Sequence, residues 1–206
     1  MNTPRLYGEY PLFAGCDPDL HTLSIAYLRG GSGVPWVESI LLFKTKGSRK
    51  EQAVLDMLGE LEEVSPVHAY GSPHLLTAYA VESQDTSYTG RKNAAQVSDI
   101  VTLSQVAGGV SLWLREAAAV RSLGILVKPS AWKGSVPKGV HQCRTLRKLG
   151  IEYTMMGGLS PYPVPRGLDD LVSGAKLNKS DWKDINDSIG LALYAWEKWN
   201  LVEGVV

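Results

Sequence analysis

Cysteine is scarce in this sequence: Cys16 and Cys143 lie far apart, with no CxxC or Cys/His spacing, which argues against a disulfide framework or a structural zinc site. Both are expected to be reduced, with Cys16 in the core. No run of eighteen apolar residues occurs, and the opening MNTPRLYGEY lacks the basic and apolar regions of a signal peptide. The expectation is therefore a cytoplasmic protein with no membrane partner. The four histidines, His21, His68, His74 and His141, show no metal-ligand spacing. Internal repeats and low-complexity tracts are missing as well. Net charge is also lacking, since 21 basic residues balance 21 acidic ones, so global charge does not favour a nucleic-acid partner. What remains is 206 residues with 44% hydrophobic content, enough for one domain over 1–206 with a substantial core.

Charge is distributed less evenly than its sum implies. Between Glu116 and Glu152 no acid occurs, while Arg121, Lys128, Lys133, Lys138, Arg144, Arg147 and Lys148 all fall there. A second basic cluster is Lys44, Lys46, Arg49 and Lys50. Each run alone is an ordinary solvated face; two runs flanking an acidic site point to phosphate.

The apolar run YPLFAGC ends in the turn signal DPD, and LSIAYLR follows as the return strand of a hairpin. VPWVESILLFKTK is a third extended segment. RKEQAVLDMLGELEEV has helical spacing, with Val54, Leu55, Leu58 and Leu61 along one side. HLLTAYAVES, mostly apolar, predicts a central strand. Residues 93–122 predict a long helix interrupted by Gly108 and Gly109, a pair costing about 1 kcal/mol each against Ala unless another backbone approaches closely. GILVKP is a short strand, and PKGVHQCRTLRKLG a basic helix opened by Pro and closed by Gly. The Gly/Pro-rich segment from Met155 to Ser180 predicts a long loop with a short helix near Leu168 to Val172. A final amphipathic helix covers about Asp181 to Asn200, with Ser180 or Asp181 available as N-cap. This order predicts an α/β domain with a mixed sheet and helices on both faces.

Two acids stand at strand exits, Asp17 after the first apolar run and Glu82 in AYAVES. A buried carboxylate is costly unless paired or bound to a cation, although an acid at a strand end also serves as a turn former. Asp184 and Asp187 share one face of the last helix, one turn apart and bordering its apolar stripe. The helix dipole favours either acid there but explains less well why both border the apolar side. If that helix packs beside the two strand ends, four carboxylates meet and divalent cations relieve their repulsion. Oxygen ligands without His or Cys favour Mg²⁺ or Mn²⁺ over zinc. Two such ions about 4 Å apart suit in-line displacement at phosphate.

GCDPDLHTLSIAYL, the strand ending AVES, VKPSAWKGSVPKGVHQCRTLRKLG and KDINDSIGLALYAW, in that order, resemble the RuvC family of Holliday junction resolvases. The likeness is to its bacteriophage members in particular, within the ribonuclease H-like superfamily, and covers nearly the whole chain. It implies a ribonuclease H-like mixed five-stranded sheet and a bacterial or phage-infected host cell. The implied activity is an Mg²⁺-dependent endonuclease cutting four-way DNA, with two Mg²⁺ per site and Mn²⁺ able to substitute. Asp17 matches the acid of the family's D-P-G motif, Glu82 the acid ending the fourth strand, and Asp184 and Asp187 the D/H-x-x-D pair. Lys138 matches a family lysine near the DNA backbone, and Lys133 is placed for the same role. Arg144, on the basic helix, is a further expected DNA contact.

Three departures are visible: Asp19 stands where the family has Gly, the second strand lacks the family glycine, and residues 154–180 exceed the usual connection. They bear on substrate preference more than on chemistry. In QDTSYTGRK, Tyr88 matches an aromatic that wedges into the junction centre, with Arg91 and Lys92 on phosphates; packing of its own loop is the other reading of Tyr88. Trp182, Trp196 and Trp199 are expected in packing. The resemblance also implies a homodimer about the long helix, because two symmetric strands need two equivalent sites. Other readings are a related nuclease acting on flap DNA or RNA/DNA hybrids, and a non-catalytic nucleic-acid-binding protein of the same fold.

Overall fold

A computed structural model describes residues 10–19, 21–45, 50–64, 76–83, 94–158 and 160–204. The strands are β1 (Leu12–Pro18), β2 (Thr22–Arg29), β3 (Trp36–Lys44), β4 (Leu76–Glu82), β5 (Ala118–Val127), β6 (Tyr153–Met156), β7 (Tyr162–Pro165) and β8 (Val172–Gly174). The helices are α1 (Lys50–Glu63), α2 (Ala94–Glu116), the single turn α3 (Pro129–Trp132), α4 (Lys138–Lys148) and α5 (Trp182–Glu203). None of the described helices is long and apolar enough to cross a membrane.

Six strands form one sheet in the order β5-β4-β1-β2-β3-β8. The hairpin partners β1, β2 and β3 run antiparallel, while β4, β5 and β8 join by parallel pairing. The mixed α/β architecture is thus as expected, with β8 adding a sixth strand. Alternation along the strands sorts the core into two layers. Leu12, Ala14 and Cys16 of β1, with Tyr79 and Val81 of β4, pack against α1 and α2. Phe13 of β1, with Ala78 and Ala80 of β4, packs against α5 and Trp132.

The α5 face has small side chains where the helix crosses it. A Cβ on Gly15 would lie 2.0 Å from the Ala192 backbone nitrogen and 2.2 Å from the Ser188 carbonyl oxygen. Glycine therefore sets how closely α5 approaches β1. By the same two-residue period Asp17 lies on the Gly15 face, and Glu82 on the Ala80 face.

Several expectations change. The long helix stops at Glu116; residues 118–122, expected to be helical, begin β5 and pair with β4 through a bulge. The Ala117 carbonyl accepts from the Leu76 N–H at 2.8 Å, so sheet pairing overrides the helix propensity of the alanine run. Gly109 admits the Leu58 side chain of α1 instead of a backbone, and Gly108 faces open space. Leu55, expected on the apolar side of α1, is exposed, and Met57 takes the buried position. The segment expected as a loop holds an antiparallel hairpin, β6–β7, and the edge strand β8, with a 3-10 turn at Asp169–Leu171. Asp181 precedes α5 without capping it through its side chain. That carboxylate accepts from the Asn178 N–H at 2.6 Å and from Lys44 Nζ at 2.5 Å, closing a capping box one turn earlier.

Candidate active site

Asp17, Glu82, Asp184 and Asp187 line one pocket of about 240 Å³, together with Asp19, Leu103, Lys133 and Lys138. The strand ends supply the first two acids, and the first turns of α5 the others. Asp187 is 0% exposed, and Asp17 and Glu82 are each 7%. A bond from Ser24 Oγ to the Asp184 carbonyl oxygen, at 3.0 Å, ties α5 to β2 beside the pocket.

Two ammonium groups sit among these acids. Lys133, after α3, places Nζ 2.7 Å from Asp187 Oδ2 and 3.0 Å from Glu82 Oε2. Lys138, opening α4, places Nζ 3.0 Å from Asp187 Oδ2 and 3.7 Å from Asp184 Oδ1. Burial alone would lower both lysine pKa values; the surrounding carboxylates, Asp187 first, raise them instead. Asp17 goes well above the usual carboxylate range because it is buried and faces Asp187 and Glu82, with the lysines pulling weakly the other way. Burial also raises Asp184, against the pull of Lys138.

Two neutral donors fix the carboxylates in orientation. Trp132 Nε1 donates to Glu82 Oε2 at 2.8 Å, and Gln142 Nε2 donates to Asp187 Oδ1 at 2.8 Å and to the Lys183 carbonyl at 2.7 Å. A set of buried acids held by neutral donors and countered by ammonium groups has the oxygen donors that hard cations take and the cations that a phosphate takes.

No family model matches the sequence, and no curated protein does. Among solved structures, RuvC of T. thermophilus in complex with a Holliday junction substrate aligns with 94% of this chain and 97% of its own, at TM-score 0.56 and 16% identity. The chain has the RuvC fold. A second T. thermophilus RuvC structure aligns over the same shares at TM-score 0.48 and 17% identity.

Within this RuvC fold, the four acids expected from the sequence lie together, and Asp19 joins their pocket. Lys133 and Lys138, expected on the DNA backbone, point into the carboxylates. Arg144 lies outside the pocket, exposed on α4. Tyr88, Arg91 and Lys92 lie outside the described residues, as do Lys46 and Arg49. Lys44 is engaged by Asp181. His141 packs edge-on against Trp132 with ring centroids 4.8 Å apart, and burial lowers its pKa.

As they stand, no three His, Cys, Asp or Glu side chains among the described residues are grouped to hold a metal ion. The donor chemistry nevertheless fits Mg²⁺ or Mn²⁺. The acids supply only oxygen, and Lys133 Nζ stands in for a cation between Glu82 and Asp187. A cation held by Glu82 and Asp187 would take the place that Lys133 Nζ fills.

Trp132 and Gln142 were not singled out from the sequence. The available signals were a tryptophan next to Lys133 in PSAWKG, and the four-residue step from Lys138 to Gln142, which puts both on one helix face. Trp132→Phe keeps the ring and removes the donor. If Glu82 holds a metal, the loss should weaken Mn²⁺ binding about 10-fold, the lower end for losing a supporting hydrogen bond to a ligand. An unchanged Mn²⁺ affinity beside an unchanged melting curve would show that Glu82 needs no such support.

Proposed function

We propose that this chain is a divalent-metal-dependent, structure-specific endonuclease that cuts four-way DNA junctions. The observation that carries this reading is the meeting of Asp17, Glu82, Asp184 and Asp187 in one pocket of a RuvC fold. Those four side chains would hold Mg²⁺ or Mn²⁺. The chemistry supplied by the bound ions is activation of water and neutralisation of charge at a phosphodiester. Trp132 and Gln142 keep Glu82 and Asp187 aimed inward. Lys133 and Lys138 would meet the phosphates flanking the cut, and Arg144 would extend that contact along α4. Arg91 and Lys92 are proposed on further phosphates, with Tyr88 as a wedge at the junction centre.

A junction presents two equivalent strands, so the working unit in this reading is a homodimer. Support comes from α2, where Val101 and Leu112 are exposed and Gly108 has open space, at positions seven and four residues apart on one face. Leu112→Glu should convert the dimer to a monomer without unfolding it, as read by sedimentation and a melting curve. A monomeric wild type would remove this part of the proposal.

The deciding assay incubates the protein with labelled four-way junction, flap, duplex and RNA/DNA hybrid, each with Mg²⁺, Mn²⁺ or EDTA. Preferred, metal-dependent cleavage of the junction is the expected result. Preference for flap or hybrid would identify a different nuclease on this fold, and binding without cleavage a non-catalytic protein.

A further inference from the structure

Lys138 lines two concavities: the carboxylate pocket, and a larger groove of about 570 Å³ between α4 and the β6–β7 hairpin. Lys183, beside Asp184, lines the groove too. Its cations are Lys138, Arg144, Arg147 and Lys183, and among the described residues no Asp or Glu lines it. Val140, Met155 and Tyr162 give it apolar walls. Lys183 Nζ lies 4.8 Å from the Tyr162 ring centroid, and the Arg147 guanidinium 6.0 Å from that of Tyr153.

The groove is rigidly built. A Cβ on Gly139 would lie 2.2 Å from the Pro161 carbonyl oxygen, so glycine lets α4 meet the hairpin backbone. The buried Asn186, next to Asp187, donates from Nδ2 to the Pro163 carbonyl at 2.7 Å. The hairpin is therefore fixed to α5 beside a candidate metal ligand.

A concave apolar surface with an aromatic ring, a ring of cations and no acid is the chemistry that accepts a nucleotide, with the base on the walls and the phosphates on the cations. We propose that this groove holds an unstacked base of the cut strand, next to the scissile phosphate. The inference rests on the proposed function, because the shared Lys138 links the groove to the pocket where the phosphodiester is cut. It assigns the β6–β7 hairpin, the long connection noted in the sequence, as a base-binding element.

The test is a double-mutant cycle between protein and DNA. Labelled four-way junctions carry a single abasic site at successive positions around the cut, and affinity is measured in EDTA for wild type, Tyr162→Ala and Arg147→Ala. For wild type, one position should lose about 10- to 100-fold in affinity, the scale of one base stacked on an aromatic side chain. Tyr162→Ala should weaken the intact junction to that level and show no further loss with the abasic site, whereas Tyr162→Phe should behave as wild type. Arg147→Ala, which keeps Tyr162 and the backbone contacts of β7 in place, should reduce the abasic effect and so controls for loss of Tyr162 packing. Losses that multiply at every position would overturn the groove as a base site. Unchanged DNA affinity with a changed molecular mass would also overturn it, marking the groove as a contact between copies. Cleavage with Mg²⁺ is scored on the same substrates. Binding coupling without cleavage spares the groove and rejects the nuclease, and cleavage without coupling does the reverse. Failure to bind DNA rejects both.

Discussion

Asp17→Asn and Asp187→Asn are expected to move the melting temperature of the metal-free protein in opposite directions, while both abolish cleavage. Asp17 is buried, and its neighbours Asp187 and Glu82 raise its pKa. A carboxylate raised in this way contributes stability below its unfolded value and loses it as pH rises through the folded one. At neutral pH in EDTA burying this carboxyl among other acids opposes folding, so Asp17→Asn should melt at least about 2 °C above wild type, the shift from roughly 1 kcal/mol at this size. The gap should close at acid pH. Asp187 differs because Lys133, Lys138 and Gln142 all bond it. Its neutral variant leaves two ammonium groups without their main partner. A fully buried pair broken this way costs about 3–5 kcal/mol; Lys138 is half exposed, so about 2–3 kcal/mol is expected here. Cleavage should fall more than ~100-fold in both, beyond the 10- to 100-fold range for supporting residues. Added Mg²⁺ should stabilise wild type and neither variant. Stabilisation by both substitutions, or full activity in either, would break the assignment.

Gly15→Ala should be the most damaging alanine substitution among the described glycines. Its Cβ would meet α5 backbone atoms at 2.0 and 2.2 Å, with no flexible side chain to move aside. The helix must shift by about 1 Å or more. Overpacking in a core costs about 1–3 kcal/mol when side chains can adapt, and more is expected here. About 3 kcal/mol lowers the melting temperature by roughly 6–12 °C. Because Asp184 and Asp187 ride on α5, the same shift should cut activity about 100-fold in the surviving folded protein. Gly59→Ala, inside α1, is the control. A Cβ there meets nothing within 4 Å, so relief of a helix-interior glycine should raise the melting temperature by about 1–4 °C. Equal behaviour of the two variants would mean that α5 tolerates displacement.

The contrast between those glycines shows where the sequence was informative. Asp17, Glu82, Asp184 and Asp187 were legible because each stands at an element boundary and two share a helix face. The first three strands were legible from their apolar runs and turns. The role of Gly15 was not, since it depends on Ala192, far along the chain. Trp132 and Gln142 were missed for the same reason: a donor to a carboxylate has no local pattern. The hairpin and β8 were hidden by Gly and Pro, which mark turns as readily as a loop. The start of β5 was hidden by alanines whose helical preference yields to pairing with β4. Lys133 and Lys138 were identified by type, but whether a lysine faces solvent or an acid cluster is decided only by packing.

The bond from Ser24 to Asp184 joins residues 160 positions apart, and this sets an order of events during synthesis. The strand acids leave the ribosome long before the helix acids. Until α5 arrives, the sheet face bearing Phe13, Ala26, Leu28 and Ala80 lacks its main cover, a surface prone to self-association. Docking of α5 buries that face and completes the carboxylate set in one step. Solubility and a finished site are therefore gained together. A chain in which α5 fails to dock keeps that apolar face uncovered and holds Asp17 and Glu82 without their two helix partners.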